Sequence, residues 1–142
     1  MILDDLKAQF GDEIESADEV GRELRVRVRA ASLVAMCRLC RSRGYSYLSD
    51  ITAVDTGSDM RVVYRLVSLQ DGGHVVISVG VPRAGGSVPS VTSVFRGANW
   101  PEREVYDLFG VRFQGHPDLR RILLTDDWQG YPMLKAGPGQ PK

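Results

Sequence analysis

Residues 23–30, ELRVRVRA, alternate without a break. Leu24, Val26, Val28 and Ala30 point one way, and Arg25, Arg27 and Arg29 point the other. A strand with this pattern has one dry face and one wet face, so a second layer must cover it on one side. The next segment supplies that layer. Leu33, Met36, Cys37 and Cys40 recur at the spacing of one helix face, Ser32 stands where an N-cap belongs, and Gly44 ends the run. The pair reads as a helix laid on a half-buried sheet.

The rest of the chain extends this scheme. Ile2, Leu3, Leu6 and Phe10 are spaced as a short N-terminal helix that Gly11 stops. Residues 45–55, 60–69 and 74–81 are rich in aromatic and β-branched side chains. Turn residues separate them, Gly57-Ser58-Asp59 and then Asp71-Gly72-Gly73. An antiparallel meander beside the strand at 23–30 is expected. Residues 82–89 read as a connection. A further helix follows, with Asn99 as its cap, Pro101 in its first turn and Glu102 completing a capping box. Val105, Leu108 and Phe109 form its apolar face and Gly110 closes it. The fold class is therefore α+β, in two layers, with a small, largely antiparallel sheet and helices on one face. One domain spans 1–135. A tail at 136–142, with Gly137, Pro138, Gly139 and Pro141, has nothing to pack and is expected to be flexible.

Composition removes several function classes. Among 142 residues, 18 basic side chains balance 18 acidic ones, which argues against a dedicated nucleic-acid binder. No run approaches the roughly 18 to 20 apolar residues that span a bilayer. The N-terminus, MILDDLKAQFGDE, is not a secretory signal, so membrane association is expected only through a partner. Two cysteines cannot build a disulfide framework.

Candidate chemistry is sparse. Cys37 and Cys40 form a CxxC, but in mid-helix on the apolar face, where core packing is the better reading. A zinc site needs about four ligands, and only His74 and His116 could join them. His116 has no serine or cysteine arranged as a nucleophile partner. Arg25, Arg27 and Arg29 read as a solvated strand face, with an acidic docking surface as the functional alternative. Glu102, Arg103, Glu104 and Asp107 crowd one helix. Acids in a first turn complement the helix dipole, and Arg103 and Asp107 are spaced to pair along it. With Arg120 and Arg121 downstream, a charge network is expected rather than an acid–base pair. No catalytic, cofactor-binding or metal residue is assigned.

The same residues carry a resemblance. Glu102-Arg103-Glu104, then Asp107-Leu108-Phe109-Gly110, then Gly115-His116-Pro117-Asp118-Leu119-Arg120-Arg121-Ile122-Leu123 resemble the signature of the thirty-kilodalton subunit family of respiratory complex I. In bacteria this is the C subunit of NADH-quinone oxidoreductase. Trp100, Asp126, Asp127, Trp128, Gly130 and Pro132 fit the same pattern, as does Asp50-Ile51-Thr52-Ala53-Val54-Asp55 upstream.

The resemblance implies a non-catalytic scaffold in the peripheral arm, on the cytoplasmic side of the plasma membrane. It would support electron transfer from NADH to quinone coupled to proton translocation. It implies docking on the large D, or forty-nine-kilodalton, subunit, with the B and I iron–sulfur subunits nearby. FMN, iron–sulfur clusters and quinone would lie in partner subunits. Trp100, Glu102, Arg103, Glu104, Asp107, Gly110, His116, Pro117, Asp118, Arg120, Arg121, Asp126 and Trp128 would form the docking and bracing network. The family usually continues with a Leu-Arg-Lys-Asp-like run where this chain reads Met133-Leu134-Lys135-Ala136-Gly137. An equivalent subunit of a related complex therefore stays open: a membrane-bound NiFe hydrogenase, an alternative-donor dehydrogenase or a photosynthetic NDH-type complex.

Overall fold

A computed structural model describes residues 2–83, 85–124 and 129–133. Helix α1 (Ile2–Phe10) leads into a hairpin of β1 (Ile14–Val20) and β2 (Glu23–Val28). Helix α2 (Leu33–Ser42) follows, then β3 (Tyr47–Asp55), β4 (Met60–Val67) and β5 (His74–Val81). The chain ends its regular structure with β6 (Ser87–Pro89), α3 (Asn99–Phe109) and β7 (Arg112–Gln114).

The main sheet has the order β1-β2-β5-β4-β3. The meander β3-β4-β5 is antiparallel, and β5 returns beside β2, with Val26 opposite Ile77. That pairing is parallel, because α2 and the β3–β4 hairpin lie between the two strands. The expected class holds: an α+β fold on a largely antiparallel sheet. Leu24, Val26 and Val28 of β2, Val62, Tyr64 and Leu66 of β4, and Val75, Ile77 and Val79 of β5 line the inner face. Leu6, Phe10, Leu33, Met36, Cys37 and Cys40 cover them from α1 and α2. Removing this apolar area from water is the main stabilising term.

Two elements depart from the sequence reading. The strand β1, IESADEV, has almost wholly exposed side chains, so no hydrophobic period announces it. It forms because Asp18 faces Arg25 and Ser16 faces Arg27 across the pair. Gly21, at φ +61°, makes the tight reversal between them. Acidic side chains on this edge also discourage pairing with another chain. The connection at 82–89 is shorter than expected. Its last three residues pair in parallel with β7, which buries Val88 and Phe113.

The expected helix caps differ as well. Both α2 and α3 are entered through a 3-10 turn, Ala30–Ser32 and Arg96–Ala98. Ser32 makes no cap bond, and its hydroxyl binds the Glu13 carboxylate instead. Asn99 is already helical, and Ala98 occupies the cap position. The 3-10 turns satisfy N–H groups that a side chain would otherwise cap. Residues 134–142, including the expected flexible tail, lie outside the described residues.

Candidate functional site

Helix α3 is buried where an amphipathic pattern says it should be polar. Leu108 and Phe109, expected on its apolar face, are only half-buried, whereas Glu102 and Asp107 have no exposed surface. Each carboxylate has a built environment.

Glu102 does not close a capping box. One oxygen accepts the Ser90 hydroxyl at 2.6 Å and the other accepts the Val91 N–H at 2.8 Å. Burial pushes its carboxyl up to about 7, against the opposing pull of these two hydrogen bonds. His116 Nε2 lies 3.9 Å from Glu102 Oε1, and both side chains are sealed from solvent. The imidazole is occupied by backbone on both sides. Its Nε2–H donates to the Asn99 carbonyl at 3.1 Å, and Nδ1 accepts the Asp118 N–H at 2.9 Å. These roles specify a neutral ring, so His116 pins the 116–118 turn to the start of α3.

Asp107 holds the following segment. Its carboxylate accepts the N–H groups of Ile122, Leu123 and Leu124 at 3.2, 2.7 and 3.0 Å. Arg121 Nη1 donates to it at 2.8 Å. Burial opposes ionisation, but those three amides and the guanidinium together keep the carboxyl below the usual carboxylate range. Arg121 also reaches the Gly130 carbonyl at 2.8 Å and lies over the Tyr131 ring. Gly110 closes the helix at φ +80°, and the Tyr131 ring sits 2.8 Å from where a Cβ would be. A side chain there would meet both backbone strain and a steric clash.

Arg103 does not pair with Asp107, contrary to their spacing. It donates to the carbonyls of Arg120 and Arg121 at 3.2 and 3.4 Å, with its guanidinium over the Trp100 ring. The arrangement has a simple sense: Asp107 takes the N–H groups of the strap and Arg103 takes its carbonyls. Residues 116–124 are thereby tied along α3. What remains outward is Trp100, Pro117, Asp118, Arg120 and Leu123, all exposed. Asp118 and Arg120 pair at 2.9 Å in solvent, where such a pair contributes at most about 1 kcal/mol. Glu104, on the same helix, is half-buried and joins no ion pair among the described residues. Asp126 and Trp128 lie outside the described residues.

Three features outside the Trp100–Leu124 segment were not predicted from the sequence. Ser90 and the Val91 amide lie 12 and 11 residues before Glu102, in a stretch with no local signal. Asp55, at the end of β3, is clamped by the Arg83 fork at 2.7 and 2.9 Å. The Tyr64 hydroxyl is buried with no hydrogen-bond partner among the described residues.

Elsewhere, Cys37 and Cys40 are core residues, and burial pushes the Cys40 thiol up to about 12. Arg25 binds Glu23 at 2.5 Å, and Arg65 shares that carboxylate at 2.7 Å. Among the described residues no group of three or more His, Cys, Asp and Glu could hold a metal ion. No described helix is long and apolar enough to cross a membrane.

Residues 26–142 match the family described as the respiratory-chain NADH dehydrogenase 30 Kd subunit. The NADH-quinone oxidoreductase C subunit of Geobacter metallireducens is 41% identical, over 95% of this chain and 89% of its own length. The Geobacter sulfurreducens protein of the same name is 43% identical, over 95% and 86%. A Methylococcus capsulatus protein, the C/D subunit of the same oxidoreductase, is 41% identical over 78% of this chain but only 21% of its own. Among solved structures, a trypsin-resistant fragment of Nqo5 superposes with a TM-score of 0.70 at 34% identity, covering 84% of this chain and all of the fragment. A chain of the membrane-bound sulfane sulfur reductase, an archaeal respiratory membrane complex, gives 0.78 at 26% identity, over 89% and 76%. The chain belongs to the 30 Kd subunit family of respiratory-chain NADH dehydrogenase.

Proposed function

We propose that this chain is a non-catalytic scaffold subunit in the peripheral arm of an NADH-quinone oxidoreductase, docking on the large D (forty-nine-kilodalton) subunit through the outer face of the strapped α3. One observation carries the reading. Glu102, Asp107, Arg103 and His116 are occupied in holding the Ser90 hydroxyl, the Val91 amide and backbone groups of 118–124, and Arg121 in holding Asp107 and the Gly130 carbonyl. Sealed from solvent, the Glu102 and His116 side chains reach no external substrate. The product of the network is a rigid lip bearing Trp100 and Leu123, each 55% exposed. Exposed aromatic and aliphatic groups on a fixed support are what interface cores use. The relative whose name joins C and D in one protein supports the D component as the partner.

In this reading FMN, the iron–sulfur clusters and quinone reside in neighbouring subunits, with the B and I iron–sulfur proteins close by, and the assembly sits on the cytoplasmic side of the membrane. The chain contributes position: it keeps electron-transfer partners in register without touching substrate. A second reading, an equivalent subunit of a related complex, is favoured by the resemblance to the sulfane sulfur reductase chain.

Affinity purification of the chain with its native complex, followed by mass spectrometry of co-purified subunits, tests both. Recovery of a D-type large subunit with NADH-oxidising subunits supports the first reading. Hydrogenase- or sulfur-reductase-type partners select the second. Arg103→Ala, which releases the strap carbonyls, is expected to lower the yield of assembled complex. Normal yield and quinone reductase activity would remove Arg103 from the network.

A further inference from the structure

A second surface, formed by other elements of the fold, concentrates positive charge and hydroxyl groups. The end of α2, the start of β3 and residues 92–97 enclose a groove of about 390 Å³. Its charged side chains are Arg41 and Arg96, and no aspartate or glutamate lines it among the described residues. Ser46, Tyr47, Thr92 and Ser93 add hydroxyl groups. Arg41 is already oriented. Its guanidinium donates to the Val94 carbonyl and lies 5.8 Å from the centroid of the Phe95 ring. Fixing it in this way lowers the entropy lost when a further acceptor binds. Tyr47 is half exposed, and β3 is the outermost strand of the sheet, paired with β4 alone among the described residues.

We propose that this groove binds a carboxylate-bearing, extended segment of a neighbouring protein subunit. Guanidinium groups match carboxylates in a planar, two-point geometry, and the hydroxyls can donate to the remaining lone pairs. An edge strand offers backbone groups to an extended chain. An anionic membrane surface is the weaker occupant. Polybasic lipid-binding segments display clusters of about four to eight cations, whereas here two arginines are set in a concavity also lined by Leu48, Val94 and Phe95.

The test uses the assembled complex. A photo-cross-linking benzoylphenylalanine replaces Tyr47, and a second preparation carries it at Leu123 on the α3 lip. Cross-linked peptides are then sequenced. From position 47 we expect a peptide of another subunit with Asp or Glu adjoining the cross-link. Arg96→Glu should cut that yield at least about tenfold while leaving the cross-link from position 123 unchanged. The Arg41→Glu variant should do the same. Exchange of the partner's carboxylate for arginine should restore the yield in Arg96→Glu. No cross-link from 47, a cross-link to lipid or to a second copy of this chain, or a yield indifferent to Arg96→Glu would each overturn the proposal. Failure at 123 with success at 47 would instead count against the α3 docking face alone.

Discussion

Asp107 and Arg121 meet at 2.8 Å across fourteen residues of chain, with the Asp107 side chain fully buried and that of Arg121 nearly so. This is a structural joint. The carboxylate serves three backbone amides besides the guanidinium, so removing either partner strands several groups at once.

Asp107→Asn keeps the shape but loses the charge and turns an amide group toward N–H donors. The expected cost is about 3–5 kcal/mol, a large part of a typical domain's stability. Urea unfolding of the purified chain measures it. A loss below about 1 kcal/mol would show that the strap does not depend on this joint.

Glu102 gives stability a pH dependence of opposite sign. Its carboxyl lies near 7 when folded and near 4.5 as the reference value. Between those values the folded chain holds a proton that the unfolded chain has released. The folded state is therefore favoured relatively at low pH, and this contribution is lost as pH rises through about 7. Full ionisation costs about 3 kcal/mol. Asp107, held below its usual range, acts the other way and loses its stabilisation only in acid. Comparing wild type with Glu102→Gln isolates the first effect: the variant should lack the decline from pH 5 to 8. An unchanged slope in the variant would refute the assignment.

Tyr64 carries a buried hydroxyl with no partner among the described residues. Such a group has lost its water without compensation. Tyr64→Phe is expected to raise stability by about 1 kcal/mol. Destabilisation by a similar amount in thermal unfolding would mean that the hydroxyl has a partner after all.

On the proposed docking face, Leu123 is expected to separate docking from folding. Its N–H is held by Asp107 but its side chain faces solvent. Leu123→Asp should leave the stability of the isolated chain within about 0.5 kcal/mol while reducing incorporation into the complex. Native gel electrophoresis of membranes checks the second part. Full incorporation would exclude Leu123 from the interface.

Parts of the molecule whose sequence period equals their structural period were legible from the start. Leu24, Val26 and Val28 had to face a core, and Leu33, Met36, Cys37 and Cys40 had to cover it. The turns at Gly57 and Gly72 follow from residues that accept positive φ, which fixed the β3–β5 meander. The signature from Trp100 to Leu123 identified the family because its order of residue types is specific.

Other features depended on contacts between distant parts of the chain. The polar β1 strand is held by cross-strand partners, so its own pattern carries no period. Helical spacing suggested that Arg103 would pair with Asp107, yet each found backbone groups of a strap 15 to 18 residues away. Burial decides this. An unpaired N–H or carbonyl shielded from water costs more than an exposed ion pair gains. The sequence by itself determined the layers, the meander and the family. Only the tertiary structure decided which charges of the signature are consumed inside the fold and which stay exposed to solvent, because that choice depends on desolvation, and desolvation exists only once distant segments have come together.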